Sequence, residues 1–115
     1  MPIQKSIPNQ RIIAGQVIDT SEITFVSNPG YTTEGESLIV TKELDFIEVL
    51  LDSSTTDHVI IKSLTQTKIK PIWGLIDEEY SEITIGKGAC VELYFSFGNW
   101  YVVSSDGMKM EEELN

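Results

Sequence analysis

From Cys90 to Phe97 apolar residues recur with a period of two. Val91, Leu93, Phe95 and Phe97 fall on one phase; Cys90, Glu92, Tyr94 and Ser96 fall on the other. Gly98-Asn99 then separates this run from Trp100-Tyr101-Val102-Val103, and glycine supplies the backbone freedom that a type II′ turn needs at its first central position. A tight turn there predicts a β-hairpin with Phe97 opposite Trp100, Ser96 opposite Tyr101 and Phe95 opposite Val102. The pleat would place Leu93, Phe95, Phe97, Trp100 and Val102 on one apolar wall, expected at the centre of the core. Tyr94 and Tyr101 take the other face, where Tyr101 is left to meet solvent, a subunit or a sugar.

The same reading along the rest of the chain yields short strands and close turns. Pro2 and Pro8 make residues 1–10 an extended segment. Ile12, Ile13, Val17 and Ile18 surround Gly15 as a strand with a bend. Ile23, Phe25 and Val26 form another, and Asn28-Pro29-Gly30 with Glu34-Gly35 predicts the longest loop over residues 27–36. Leu38-Ile39-Val40 is a strand. Residues 41–51 carry two patterns: Leu44, Ile47 and Leu51 have helical spacing, while Ile47, Val49 and Leu51 alternate. The surrounding strands favour the second. After a polar turn at residues 52–57, Val59 and Ile61 share one face of a strand and His58, Ile60 and Lys62 the other. Residues 67–70 form a strand ended by Pro71, Ile83 and Ile85 form a short one, and Gly86-Lys87-Gly88 turns into the hairpin.

This pattern predicts an all-β fold, a compact β-sandwich or β-prism-like domain of about 7–9 short antiparallel strands. The expected organisation is an extended N-terminal arm at residues 1–13, a single β domain at 14–107 and an acidic tail at 108–115. A chain of 115 residues with 41% hydrophobic residues suits one globular domain. The net charge of −10, from 18 acidic and 8 basic residues, argues against nucleic acid and anionic membrane as partners. No run reaches the roughly 20 apolar residues of a membrane helix, and the N-terminus lacks a signal-peptide core. The lone Cys90 allows no intrachain disulfide, which suits assembly in a reducing cytoplasm.

Candidate chemistry is sparse. Cys90 and His58 are the only thiol and imidazole, and a cysteine between Ala89 and Val91 in a strand reads as an inert packing residue. Asp77, Glu78, Glu79 and Glu82 lack the spacing of a calcium loop and read as a solvated turn; an acidic pair around Asp77 and Glu82 is the weakest, hydrolytic reading. Gly86-Lys87-Gly88 is too short for a phosphate loop. No catalytic, cofactor-binding or metal-binding residue is therefore expected. Trp73, Tyr80, Trp100 and Tyr101 fit packing or interface anchoring better than a sugar platform, although a carbohydrate-binding module stays open as the alternative.

Several segments of the second half occur in a recognisable order. These are His58-Val59-Ile60-Ile61-Lys62-Ser63-Leu64, Lys68-Ile69-Lys70-Pro71, Gly74-Leu75-Ile76-Asp77, Gly88-Ala89-Cys90-Val91-Glu92-Leu93, and the run from Gly98-Asn99-Trp100-Tyr101 to Gly107. Over residues 45–107 the chain resembles β domains of bacteriophage virion surfaces, found in tail fibres, head fibres and capsid decorations. The resemblance implies a non-enzymatic virion structural protein, commonly a homotrimer, assembled in the host cytoplasm and docked on capsid or tail proteins. Host surface glycan is a further partner it would allow. The expected contact residues are Ile3, Ile7, Pro8 and Ile12 on the arm, with Trp73, Tyr80 and Tyr101 on the domain.

Overall fold

A computed structural model describes residues 10–13, 16–19 and 22–106. The described residues form strands and turns without an α-helix. Strands β1 (Gln10–Ile13) and β2 (Gln16–Asp19) pair with each other, Ile12 opposite Val17, as a separate two-stranded unit. What reads in sequence as one bent strand is thus two antiparallel strands, and the arm expected to run extended through Ile13 already holds β1. Residues 1–9 lie outside the described residues, Ile3, Ile7 and Pro8 among them.

The main body alternates between two sheets. Strands β3 (Thr24–Val26), β5 (Leu38–Thr41) and β7 (His58–Ser63) belong to one; β4 (Gly30–Thr32), β6 (Phe46–Leu51) and β8 (Gln66–Pro71) belong to the other. Each strand runs parallel to its predecessor in the same sheet, so Thr24, Ile39 and Ile61 stack in one row and Tyr31, Val49 and Ile69 in another. The chain therefore coils as three two-strand rungs. Three antiparallel strands close the coil. Strand β9 (Ile83–Ile85) pairs with β8, β10 (Cys90–Ser96) with β7, and β11 (Asn99–Asp106) with β10. The sheet orders are β11-β10-β7-β5-β3 and β4-β6-β8-β9.

The all-β domain is as the sequence predicts, with sheets that are mixed rather than purely antiparallel. Crossing to the other sheet after every strand returns the chain in the same direction, which a hairpin cannot do. Residues 27–36 hold β4 as well as loop. Their lone aromatic, Tyr31, packs on the core, and its hydroxyl donates to the Glu36 carboxylate. Residues 46–51 are strand, with Ile47, Val49 and Leu51 buried.

Inward residues of both sheets form one core that includes Ile39, Val59, Ile61, Val91 and Leu93 from the first and Ile47, Val49, Leu51, Ile69, Ile83 and Ile85 from the second. Each fully buried aliphatic side chain contributes about 1.5–3 kcal/mol relative to exposure. Two polar groups cross this layer without loss: Thr41 and Thr67 hydroxyls meet at 2.7 Å, and Thr67 also donates to the Thr65 carbonyl. The β10–β11 hairpin exists, but it occupies one side of its sheet rather than the centre. Its turn is Phe97-Gly98, with Ser96 opposite Asn99 and Phe95 opposite Trp100. Both turn residues have positive φ, 49° and 89°, the signature of a type I′ turn rather than II′. Moving the turn back one residue shifts the partners of Leu93 to Ser96 by two positions, so Leu93, Phe95, Trp100 and Val102 keep their predicted face. Phe97 does not. It sits at the tip, 99% exposed, rather than on the apolar wall.

Candidate functional site

Residues 72–80 build the other half of that tip. Pro71, opposite Leu51, is the last residue of β8; the Ile72 N–H still donates to the Leu51 carbonyl at 2.9 Å, and the chain then leaves the sheet through Ile72 and Trp73. Gly74, at φ 81°, then lies against the carbonyl of Gly98, so close that a Cβ would fall 1.9 Å from that oxygen. Beyond it the segment runs beside β11 as a substitute strand. The Trp100 N–H donates to the Leu75 carbonyl at 2.8 Å, and the Asp77 N–H donates to the Trp100 carbonyl at 2.7 Å. Side chains fasten both ends: the Leu75 N–H donates to Asn99 Oδ1 at 2.8 Å, and the Val102 N–H donates to Asp77 Oδ1 at 3.0 Å. Part of the β11 edge, otherwise open to a foreign strand, is thereby covered.

A tight turn follows, in which Asp77 and Glu78 both take left-handed φ, 53° and 60°. The Ile76 carbonyl accepts from the Glu79 and Tyr80 N–H groups, and the Ile76 N–H donates back to Tyr80. Together with Phe97 this makes three non-glycine residues in the left-handed region at one end of the molecule. Each costs on the order of 1–3 kcal/mol and persists only where surrounding contacts enforce it. What the strained frame presents is apolar. Trp73 is 71% exposed and Phe97 99%, with Ile72 and Leu75 also exposed beside them. Exposed aromatics fixed on rigid backbone lose little freedom when covered, which suits them to anchor a contact.

Of the predicted contact residues, Trp73 belongs to this end. Tyr101 lies behind it, partly buried, its hydroxyl donating to Glu78 Oε2 at 2.7 Å. Tyr80 is half-buried against the core and serves the turn more than the surface. Ile12 lies in β1. Sequence reasoning misses Phe97, Ile72 and Leu75. The signal for Phe97 was the choice of turn dipeptide: placing Asn99 in the strand leaves Phe97 outside the ladder and frees the Asn99 side chain to hold Leu75.

The acidic residues divide their work. Asp77 and Glu78 hold β11 as described, and Glu82 pairs with Lys68 at 3.7 Å. Cys90 pairs in register with Lys62, whereas His58 lies opposite Tyr94 at the far end of that ladder, stacked on its ring at 4.2 Å. His58 Nε2 meets the buried Glu92 carboxylate at 2.7 Å. Among the described residues no group of three or more His, Cys, Asp and Glu is placed to hold a metal ion.

The Tyr101–Glu78 hydrogen bond has a titratable consequence. The bond to Glu78 is the largest cause raising the Tyr101 phenol above its ordinary value of 10.0, with desolvation and carboxylate charge adding to it. The neutral phenol is the form that fits, so the contact is complete below pH 10 and is lost as pH rises through the raised value. Glu78→Gln is expected to move the Tyr101 titration back towards 10, read from ring-labelled tyrosine resonances; an unmoved titration would show that the bond does not form in solution.

No protein-family model matches the chain, and no curated protein matches it.

Proposed function

We propose that this chain is a non-enzymatic structural component of a bacteriophage virion, a capsid decoration, head-fibre or small tail-surface protein that docks on the particle through its apolar end. The observation that carries this reading is the exposure of Trp73 and Phe97 on two backbone segments pressed together at Gly74 and Gly98. Monomer surfaces seldom hold large aromatics exposed on strained, tightly bonded backbone unless a partner covers them. Of the segments that carry the resemblance to virion surface domains, all but Lys68–Pro71, which lies in β8 of the other sheet, adjoin in space. Strand β7 pairs with β10, β10 with β11, and Ile76 bridges to Trp100. They form one continuous unit, as a shared structural module requires.

Self-association as a homotrimer belongs to the same proposal. The strands at one edge of each sheet, β3 and β4, have three residues each, too short to recruit a neighbouring strand strongly. A trimer would therefore be held by apolar side chains more than by shared ladders. A map of a purified particle tests the reading: density for this fold on head or tail surface supports it, and absence from the mature particle refutes it. Light scattering addresses the trimer, since a monomeric mass at micromolar concentration counts against it.

A second reading, a carbohydrate-binding module for host-surface glycan, draws on one feature. The exposed indole of Trp73 and the Tyr101–Glu78 hydroxyl–carboxylate pair lie on the same loop and strand, combining a stacking face with polar groups. Glycan-array binding abolished by Trp73→Ala or Tyr101→Ala would favour it.

A further inference from the structure

The two sheets have unlike outward faces. On the four-stranded sheet the outward positions include Glu48, Gln66, Lys68, Lys70 and Thr84, an ordinary solvated surface. On the five-stranded sheet the polar His58, Lys62 and Glu92 share the outward side with an apolar patch on β5 and β7. Leu38, Val40 and Ile60 form a second cluster, separate from the core between the sheets, with Ile23 and Cys90 packed on it. All three of its central residues are buried, although the four-stranded sheet lies on the opposite side. Because this burial holds within a single chain, part of the same chain covers the face.

The β1–β2 hairpin has the complementary need. It joins neither sheet's ladder, and an isolated two-stranded hairpin is marginal in water unless it packs on something. Its sequence is rich in aliphatics, with Ile12, Ile13, Val17 and Ile18. It also begins from the right place: β2 ends at Asp19, and the next strand, β3, is the edge of the five-stranded sheet. The link from Asp19 to Thr24 can span at most roughly 17 Å. At about 4.8 Å per strand that reaches across β3 and β5 to β7, and so over Leu38 and Val40 of β5 and Ile60 of β7.

We propose that the β1–β2 hairpin folds back as a third layer over the outward face of the five-stranded sheet, with Leu38, Val40 and Ile60 as its seat. The N-terminal segment is then an intrinsic part of the domain's packing, not an arm reserved for a neighbour. The face is interior, and the apolar end at Trp73 and Phe97 is left as the surface for partners.

The test uses the full chain with labelled Ile, Leu, Val and Met methyl groups. Nuclear Overhauser contacts from Leu38, Val40 and Ile60 to Ile12, Val17 or Ile18, unchanged on dilution, are expected. Contacts confined to the methionines or leucine after Gly107 would overturn the proposal in favour of the C-terminal tail. Contacts that vanish on dilution would overturn it in favour of a second copy. As an independent readout, Ile12→Asp in the full chain should raise the labelling rate of Cys90 by about ten-fold or more through local opening, with far-UV circular dichroism retained. A retained fold with an unchanged rate would also overturn it.

Discussion

Replacing Trp100 by alanine is expected to cost about 3–5 kcal/mol of folding stability, enough to unfold a large fraction of a marginally stable domain. Trp100 is the largest fully buried side chain, packed beside Phe95 at a ring separation of 5.4 Å. Truncation removes its apolar contacts and leaves a cavity that a tightly paired hairpin cannot collapse to fill. The indole also carries a liability. Its Nε1–H is buried and finds no hydrogen-bond partner among the described residues. An unmet buried donor costs about 1–3 kcal/mol, so Trp100→Phe, which removes it while keeping an aromatic ring, should recover much of the loss. Urea denaturation of the two variants checks the ordering. Equal losses would mean that the buried N–H is not a penalty in solution, and a small loss for alanine would place Trp100 outside the core.

Gly74→Ala is the second large effect, and it acts on backbone rather than on packing. The added methyl would need both a φ near 81° and a position 1.9 Å from the Gly98 carbonyl oxygen. The first alone costs roughly 1–3 kcal/mol, and the second cannot be relieved by turning a side chain because the obstacle is main chain. The segment must move away from β11, breaking the Leu75, Asn99, Asp77 and Trp100 bonds that hold it. Expected is a loss of about 2–4 kcal/mol, together with rapid amide exchange at residues 75–77 and 100–102. Gly98→Ala is the useful contrast. It has φ 89° but nothing within 4 Å of its Cβ position, so it should cost only the conformational part. If Gly74→Ala were no worse than Gly98→Ala, the close approach of the two segments would be wrong.

Much of the fold was legible in the chain because burial follows a period of two wherever one face of a strand meets the core. The alternation from His58 to Ser63 locates β7 and sorts its faces, and Ile47, Val49 and Leu51 decide between strand and helix at β6. Direction of pairing was not legible. A run such as Leu38-Ile39-Val40 is apolar on both faces in any sheet whose two sides are covered, and nothing local marks its neighbour as parallel. The short strand β4 was hidden for another reason, since Asn28-Pro29-Gly30 announces a turn although Gly30 already begins the strand. The candidate site was legible in part. Trp73 follows Pro71, where the chain leaves its sheet, whereas Phe97 continued an apolar alternation and looked interior. Only the competition between two neighbouring turn dipeptides decides its place. The winner accepts a strained phenylalanine because it frees Asn99 to bind Leu75 and lets Trp100 pair with Phe95.

That compensation is why the exposed end carries the functional proposal: the frame is built at some cost, and what it displays is Trp73 and Phe97. Both side chains are exposed, so Trp73→Ser with Phe97→Ser should change folding stability little. The most direct measurement is the amount of this protein retained on purified phage particles assembled with the parent or with the double variant, compared at equal expression and equal melting temperature. Parent protein retained and double variant lost is the result predicted here; double variant retained at the parental level would contradict docking through this end.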